Sequence, residues 1–319
     1  MNPLAQVLAH QSLIVIDGAL GTELERKGCD LNDALWSSKV LLDRPEVIEE
    51  IHWSYLQAGA DCITTSSYQS SIQGFMAHGF DQEQAYALIR KSSELAVAAR
   101  DAYWLGLSEA ERAQRCKPLV VASLGPYGAC LADGSEFRGD YALDEAVLFD
   151  FYRPRIQALL EGGADLLGCE TLPSSAEALI VLKLLETEFT QARAWFSFSA
   201  KDRVHISNGE PIETVVQQVA PHPAVLAIGI NCTPPQYLAD LITRIAQNTD
   251  KLIIVYPNSG ETYDAEHKTW HNHSTHGEFA AQAHHWYELG ARLIGGCCRT
   301  TPREIQDVAN ALKCPHCAS

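Results

Sequence analysis

Eight short runs of apolar and β-branched residues recur along the chain, each followed by a longer segment of helical period. They are LIVID (13–17), CITTSS (62–67), LVVASLG (119–125), LLGCET (166–171), AWFSFSA (194–200), LAIGINC (226–232), LIIVYPN (252–258) and LIGGCC (293–298). A parallel strand covered on both faces reads as such a run, and its return needs a crossover of a dozen or more residues, usually a helix. The intervening segments supply the crossovers: PEVIEEIHWSYLQAG, DQEQAYALIRKSSELAVAAR, DEAVLFDFYRPRIQALLEGG, SAEALIVLKLLETEF, PIETVVQQVA, PQYLADLITRIAQ, HGEFAAQAHHWYELG and PREIQDVANALK. A weak repeat, AGADCIT (58–64), GGADLLG (162–168) and LGARLIG (289–295), sets a glycine suited to a helix C-cap and then an alanine before a strand. Eight βα units in 319 residues, with no linker rich in Pro, Gly or Ser, predict an α/β fold, a closed parallel (β/α)8 TIM barrel. It is expected to occupy residues 1–319 as one domain, with a short flexible tail at 314–319.

Composition narrows what such a barrel does. A net charge of −16 disfavours nucleic acid and anionic membranes, which reward clustered Lys and Arg. No apolar stretch approaches the roughly 20 residues that span a bilayer, and the opening MNPLAQVLAHQS lacks the features of a signal peptide. The expected location is the cytoplasm. The ten cysteines, Cys29, Cys62, Cys116, Cys130, Cys169, Cys232, Cys297, Cys298, Cys314 and Cys317, then point to metal binding, catalysis or packing rather than a disulfide framework.

Barrels of this kind carry their chemistry where strands end and βα loops begin. The first strand ends at Asp17 before GALGTEL, the fourth in CETLP with Cys169 and Glu170, the sixth in NCTPP with Cys232, the seventh in YPNSG and the eighth in GGCC. A regular strand would point Cys297 and Cys298 to opposite faces. If the last strand ends at Gly296, the glycines free the chain to turn and the two thiols can face the same way. The sixth and eighth strands lie roughly 10 Å apart at about 4.8 Å per strand, and curvature shortens that chord. Cys232, Cys297 and Cys298 can therefore meet as a three-thiolate zinc site with an open fourth position, the mark of a catalytic rather than structural metal.

Other readings compete at this level. Buried cysteine often serves as a small apolar residue, the favoured role for Cys62, Cys116, Cys130 and Cys169. A vicinal disulfide between Cys297 and Cys298 would be strained. His267, His271, His273, His276, His284 and His285 read as polar loop and helix surface, and CPHC (314–317) as a fraying chain end. GALGTEL lacks the third glycine of a dinucleotide fingerprint.

The motifs DGALGTEL, SLGPYGA, CETLP, GINC, VYPNSG and GGCCRTTP, spread over essentially the whole chain, resemble those of the homocysteine S-methyltransferase family. The resemblance implies a zinc-containing barrel that methylates the thiol of L-homocysteine to give L-methionine, with one Zn2+ on Cys232, Cys297 and Cys298. It also implies that Asp17, Gly18, Ala19 and Glu170 hold the amino-acid end of homocysteine, Glu170 taking the ammonium and the turn after Asp17 offering N–H groups to the carboxylate. Coordination to zinc favours a thiolate, and a sulfonium donor departs as a neutral thioether, so no general acid is required.

For the methyl donor, S-methylmethionine is the first expectation and S-adenosylmethionine the second, because no nucleotide signature is present. Betaine-dependent transfer is an alternative, as is a non-catalytic zinc- or homocysteine-binding protein. Ring faces attract a sulfonium by roughly 0.5–2 kcal/mol each. That makes Tyr68, Tyr127, Trp195, Phe196 and Tyr256, at or near strand ends, candidates for the donor site, although core packing competes for each. Asn258 and Ser259 are expected to bind the donor's amino or carboxylate group.

Overall fold

A computed structural model of the chain describes residues 2–31, 37–131, 133–141, 144–260, 262–264, 269–271 and 277–313. Strands β1 (Ile14–Val15), β2 (Cys62–Thr64), β3 (Leu119–Leu124), β4 (Leu166–Leu172), β5 (Ala194–Phe198), β6 (Val225–Asn231) and β7 (Leu252–Tyr256) appear in chain order. A short antiparallel hairpin, β8 (Thr262–Asp264) and β9 (Thr269–His271), follows β7, and β10 (Ala291–Ile294) is the last strand of the barrel. Every pairing within the eight-stranded sheet is parallel, in the order β1-β10-β7-β6-β5-β4-β3-β2. The edges β1 and β2 meet through the Ile16–Cys62 bridge, with Asp17 N–H donating to Cys62 O at 3.0 Å and Asp61 N–H to Val15 O at 2.7 Å. The eight expected runs thus coincide with the eight strands of a (β/α)8 barrel.

Side-chain alternation divides the core in two. Val15, Ile63, Ala122, Leu167, Phe196, Ile228 and Val255 face outward and pack under the helices. Their neighbours Ile14, Ile16, Cys62, Val121, Leu166, Trp195, Ala227, Ile254 and Leu293 face inward and fill the lower barrel. A helix the periodicity did not signal, Pro3–Leu8, plugs the bottom: Asn2 caps it by accepting from Ala5 N at 3.1 Å, and Leu4 and Val7 join the inward cluster. Two inward glycines answer to close packing. A Cβ at Gly168 would lie 2.9 Å from Trp195 Nε1, and one at Gly229 would fall on the Ile254 carbonyl.

Further along six of the strands, β2 to β7, the inward positions become polar: Thr64, Ser123, Glu170, Ser197, Asn231 and the hydroxyl of Tyr256. The barrel interior therefore changes from dry to polar at the level where its C-terminal mouth begins. Among the described residues no helix is long and apolar enough to cross a membrane. Of the histidines after β7, His284 and His285 lie exposed on the helix Glu278–Glu288 near Glu288, at 3.6 and 3.7 Å. His271 falls in β9 rather than in a loop or helix. His267, His273, His276 and the 314–319 tail lie outside the described residues.

Candidate active site

The mouth encloses a cavity of about 310 Å³. Its wall carries Asp17, Gly18 and Ala19 from the end of β1, Tyr68 from the turn after β2, Glu170 and Thr171 from β4, Asn231 and Cys232 from β6, Tyr256 from β7, and Cys297 and Cys298 after β10.

The cysteines converge. Cys232 and Cys297 are bonded through their sulfurs, with Cα atoms 5.5 Å apart, and Cys298 Sγ lies 4.0 Å from Cys232 Sγ. All three sulfurs lie within 4.8 Å of one another, a cluster able to hold a metal ion once the bonded pair is reduced. The bonded pair joins two strand ends and is not the vicinal one. Cys232 reaches inward by adopting a left-handed backbone, φ 46°, just past the end of β6. The glycines before Cys297 act differently from the expectation. The last barrel strand ends at Ile294, and neither Gly295 nor Gly296 has a positive φ; Arg299 does, at 68°. What the glycines provide is the missing Cβ. At Gly295 it would lie 2.7 Å from Ile16 Cβ, and at Gly296 it would fall on the Thr300 side chain. Thr300 in turn closes the cysteine turn by donating from Oγ1 to Cys297 O at 2.6 Å. Burial pushes the Cys298 thiol up to about 11, with the nearby charges of Glu25 and Glu136 adding to the rise.

Beside the cysteines lie buried acids. Glu170 shares inward parity with Leu166 and Gly168, whereas Cys169 points into the outer core. The Glu170 carboxylate accepts from Ser123 Oγ and from Tyr256, and burial raises its pKa against those bonds. Asp17 accepts from Thr64 N at 2.7 Å and Thr64 Oγ1 at 3.2 Å; burial holds its pKa well above the usual carboxylate range, and the Glu170 charge adds to that. A third acid, Glu136, also lines the cavity, and among the described residues no lysine or arginine does. Such a wall favours a cationic ligand group.

The remaining candidates separate. Tyr68 and Tyr256 line the cavity, but Tyr127 and Trp195 do not. Tyr127 opens the helix Tyr127–Leu131 and packs against Phe151 and Tyr141, at 5.0 and 5.8 Å between centroids. Trp195 faces inward one layer too deep, fully buried beneath Tyr256 at 6.2 Å. Phe196 has the opposite parity and faces outward. Asn258 and Ser259 sit behind the cysteines rather than on the cavity wall: Ser259 N–H donates to Cys298 O at 3.0 Å, and Asn258 N–H to Thr233 O at 3.2 Å. Ala19 N–H turns toward Thr300, at 3.3 Å from Oγ1. Gly18 is held by crowding, since a Cβ there would lie 2.9 Å from both Tyr55 OH and Thr300 Oγ1.

Several wall residues were not singled out from the sequence. Asn231 and Thr171 clasp β6 to β4 across β5, Asn231 Oδ1 accepting from Thr171 N at 2.8 Å and Nδ2 donating to Thr171 Oγ1 at 2.7 Å. Thr171 has a φ of 58°, so this clasp holds a strained strand end. Ser123 orients Glu170. The signal for Ser123 and Asn231 is parity: each is a polar residue in a run otherwise apolar on both faces.

The homocysteine S-methyltransferase family model matches residues 14–312. The chain belongs to the homocysteine S-methyltransferase family. It is 52% identical over 309 residues to homocysteine S-methyltransferase YbgG of Bacillus subtilis, covering 97% of each chain. It is 45% identical over 325 residues to the selenocysteine methyltransferase of Astragalus bisulcatus, covering 98% of this chain and 96% of that one. Among solved structures, the metallated form of the Escherichia coli homocysteine methyltransferase MmuM matches with a TM-score of 0.86 at 46% identity, over 97% of this chain and 99% of that one. This homocysteine S-methyltransferase therefore transfers a methyl group to the homocysteine thiol, giving methionine.

The crowding at Gly296 makes a direct test of the rim geometry. Gly296→Ala should displace the Thr300 turn and with it Cys297 and Cys298, lowering turnover by about a hundred-fold, the usual cost of an ångström of misplacement. Far-UV circular dichroism should stay unchanged. Full activity in the variant would mean that the turn relaxes without moving the sulfurs.

Proposed function

We propose that the enzyme binds one Zn2+ through Cys232, Cys297 and Cys298 and uses S-methylmethionine as its methyl donor, in the cytoplasm, where the thiols stay reduced. The observation that carries this reading is the convergence of three cysteine sulfurs on a small cavity walled by acids and, among the described residues, lacking lysine and arginine. Sulfurs at about 2.3 Å from a tetrahedral zinc stand roughly 3.8 Å apart, close to the spacing of Cys232 and Cys298, so the donor set suits the ion. When bound, zinc would stabilise the homocysteine sulfur as a thiolate at neutral pH.

The chain's own residues do the positioning. Glu170, fixed by Ser123 and Tyr256, takes the homocysteine ammonium, with the Asp17 carboxyl behind it. The Ala19 N–H is engaged by Thr300, so the substrate carboxylate faces the next N–H groups of that turn, at Leu20 and Gly21, both on the cavity wall. Tyr68 and Tyr256 present rings to the donor, whose sulfonium charge is drawn to their faces. In the transfer, the bond between the donor sulfur and its methyl carbon breaks as the homocysteine sulfur bonds to that carbon. The thiol proton leaves, the sulfonium becomes a neutral thioether, and both products are methionine. No acid is needed at the leaving group.

A cavity of about 310 Å³ lies at the small end of ligand pockets, and a donor carrying adenosine would fill it alone. Competition kinetics with purified, zinc-loaded protein should give the highest kcat/KM for S-methylmethionine. A higher value for S-adenosylmethionine or betaine would overturn the donor assignment and leave the thiolate chemistry standing.

A further inference from the structure

Glu136 is the acid on the cavity wall for which neither the fold nor the acceptor accounts. It lies in the turn Ser135–Phe137, which follows the helix after β3 and folds back over the mouth. The approach is close: a Cβ at Gly128 would lie 2.6 Å from Glu136 N and 2.7 Å from the Ser135 carbonyl carbon. Ser135 is buried, and its N–H donates to Asp133 Oδ1 at 2.9 Å, which anchors the turn from the other side. The neighbouring cation is turned away. Arg138 donates to Asp140 Oδ2 at 3.1 Å, to the Asp133 carbonyl at 3.1 Å and to Ser135 Oγ at 3.1 Å. Glu136 Oε2 is buried and has no hydrogen-bond partner.

A buried carboxylate oxygen left unpaired is costly and calls for a partner, which this wall does not supply. Glu170 already accepts from two side chains and Asp17 from Thr64, and the acceptor brings a single ammonium. Glu136 shares the cavity wall with Tyr68 and with Cys232, Cys297 and Cys298, so the carboxylate borders the same space as the donor-facing ring and the cysteine trio.

We propose that Glu136 is the donor-recognition residue, binding the α-ammonium of an amino-acid sulfonium so that its methyl carbon faces the cysteines. This inference rests on the reading of the donor as such a sulfonium. An ammonium offers N–H donors that a bare Oε2 can accept, whereas the quaternary nitrogen of a betaine has none. Glu136 therefore acts as a filter for the amino-acid end of the donor, separate from the attraction of the rings for its sulfonium end.

The test is steady-state kinetics of the zinc-loaded full chain and its Glu136→Gln variant. The probes are S-methylmethionine, S-adenosylmethionine, and dimethylsulfoniopropionate, a sulfonium carboxylate without the amino group, used as alternative donor or competitive inhibitor. The variant should raise the KM for S-methylmethionine about thirty-fold, the lower range for losing a buried charge partner. The KM for homocysteine and the constant for dimethylsulfoniopropionate should change less than about three-fold. Equal weakening of donors with and without the amino group would overturn the proposal, as would a matching rise in the homocysteine KM or an unchanged KM for both amino-acid sulfoniums. If the parent enzyme used only S-adenosylmethionine and the variant weakened it, the donor reading would fail while the role of Glu136 stood.

Discussion

Cys298→Ala enzyme, purified under reducing conditions, will be folded and nearly free of zinc, and its methyl transfer will fall at least about a thousand-fold. A metal that activates a nucleophile contributes several kcal/mol, each 1.4 kcal/mol being a factor of ten in rate. Cys298 is the informative choice because it is a free thiol in the structure. Its side chain also supports nothing else among the described contacts, so truncation removes a ligand rather than a strut. The measurements are zinc per chain by elemental analysis and turnover with saturating donor. Stoichiometric zinc together with parental turnover in the variant would refute the three-cysteine assignment.

Glu170→Gln should separate binding from stability. Removing one partner of a desolvated charge pair costs about 2–5 kcal/mol, so kcat/KM for homocysteine should fall from roughly thirty-fold to several thousand-fold, with zinc content intact. The pH dependence follows from the raised pKa of this carboxyl. Ammonium binding needs the ionised form, so kcat/KM in the parent enzyme should drop on the acid side at a pH above the usual carboxylate range, and the variant should lose that limb. For folding the sign is opposite. A carboxyl whose pKa is higher in the folded state binds more protons there, so stability falls as pH rises from the unfolded value through the folded one and stays reduced above it. The ligand-free Glu170→Gln protein should therefore melt above the parent at neutral pH and converge with it in acid. A lower melting temperature at pH 7, or unchanged homocysteine kinetics, would show that Glu170 is a structural group.

Much of this was legible because a parallel barrel writes itself in one-dimensional form. Strands covered on both faces are continuous apolar runs, so all eight were located, and the strand ends brought Asp17, Glu170, Cys232, Cys297 and Cys298 to one rim. The helix Pro3–Leu8 and the hairpin β8–β9 escaped because their segments are too short to show a period. Depth was the harder coordinate. Trp195 sits near a strand end in the sequence but faces a buried layer, and Tyr127 turns to Phe151, because proximity to a strand end says nothing of which way a ring points. Applied strictly, alternation separates Glu170 from Cys169 and picks out Ser123 and Asn231. It fails at Cys232, where the backbone leaves the strand in a left-handed turn. The sequence suggests hinges at Gly295 and Gly296, but close packing against Ile16 and Thr300 is what requires them.

The seal at the bottom of the barrel also sets the order of traffic. With Leu4, Val7 and Trp195 closing the lower half, small molecules exchange through one doorway, the mouth. On the proposed assignments, an acceptor seated on Glu170 inside the barrel would lie behind a donor held from the turn at Glu136. The deeper guest would then enter first and, once methylated, wait for the spent donor to clear the way.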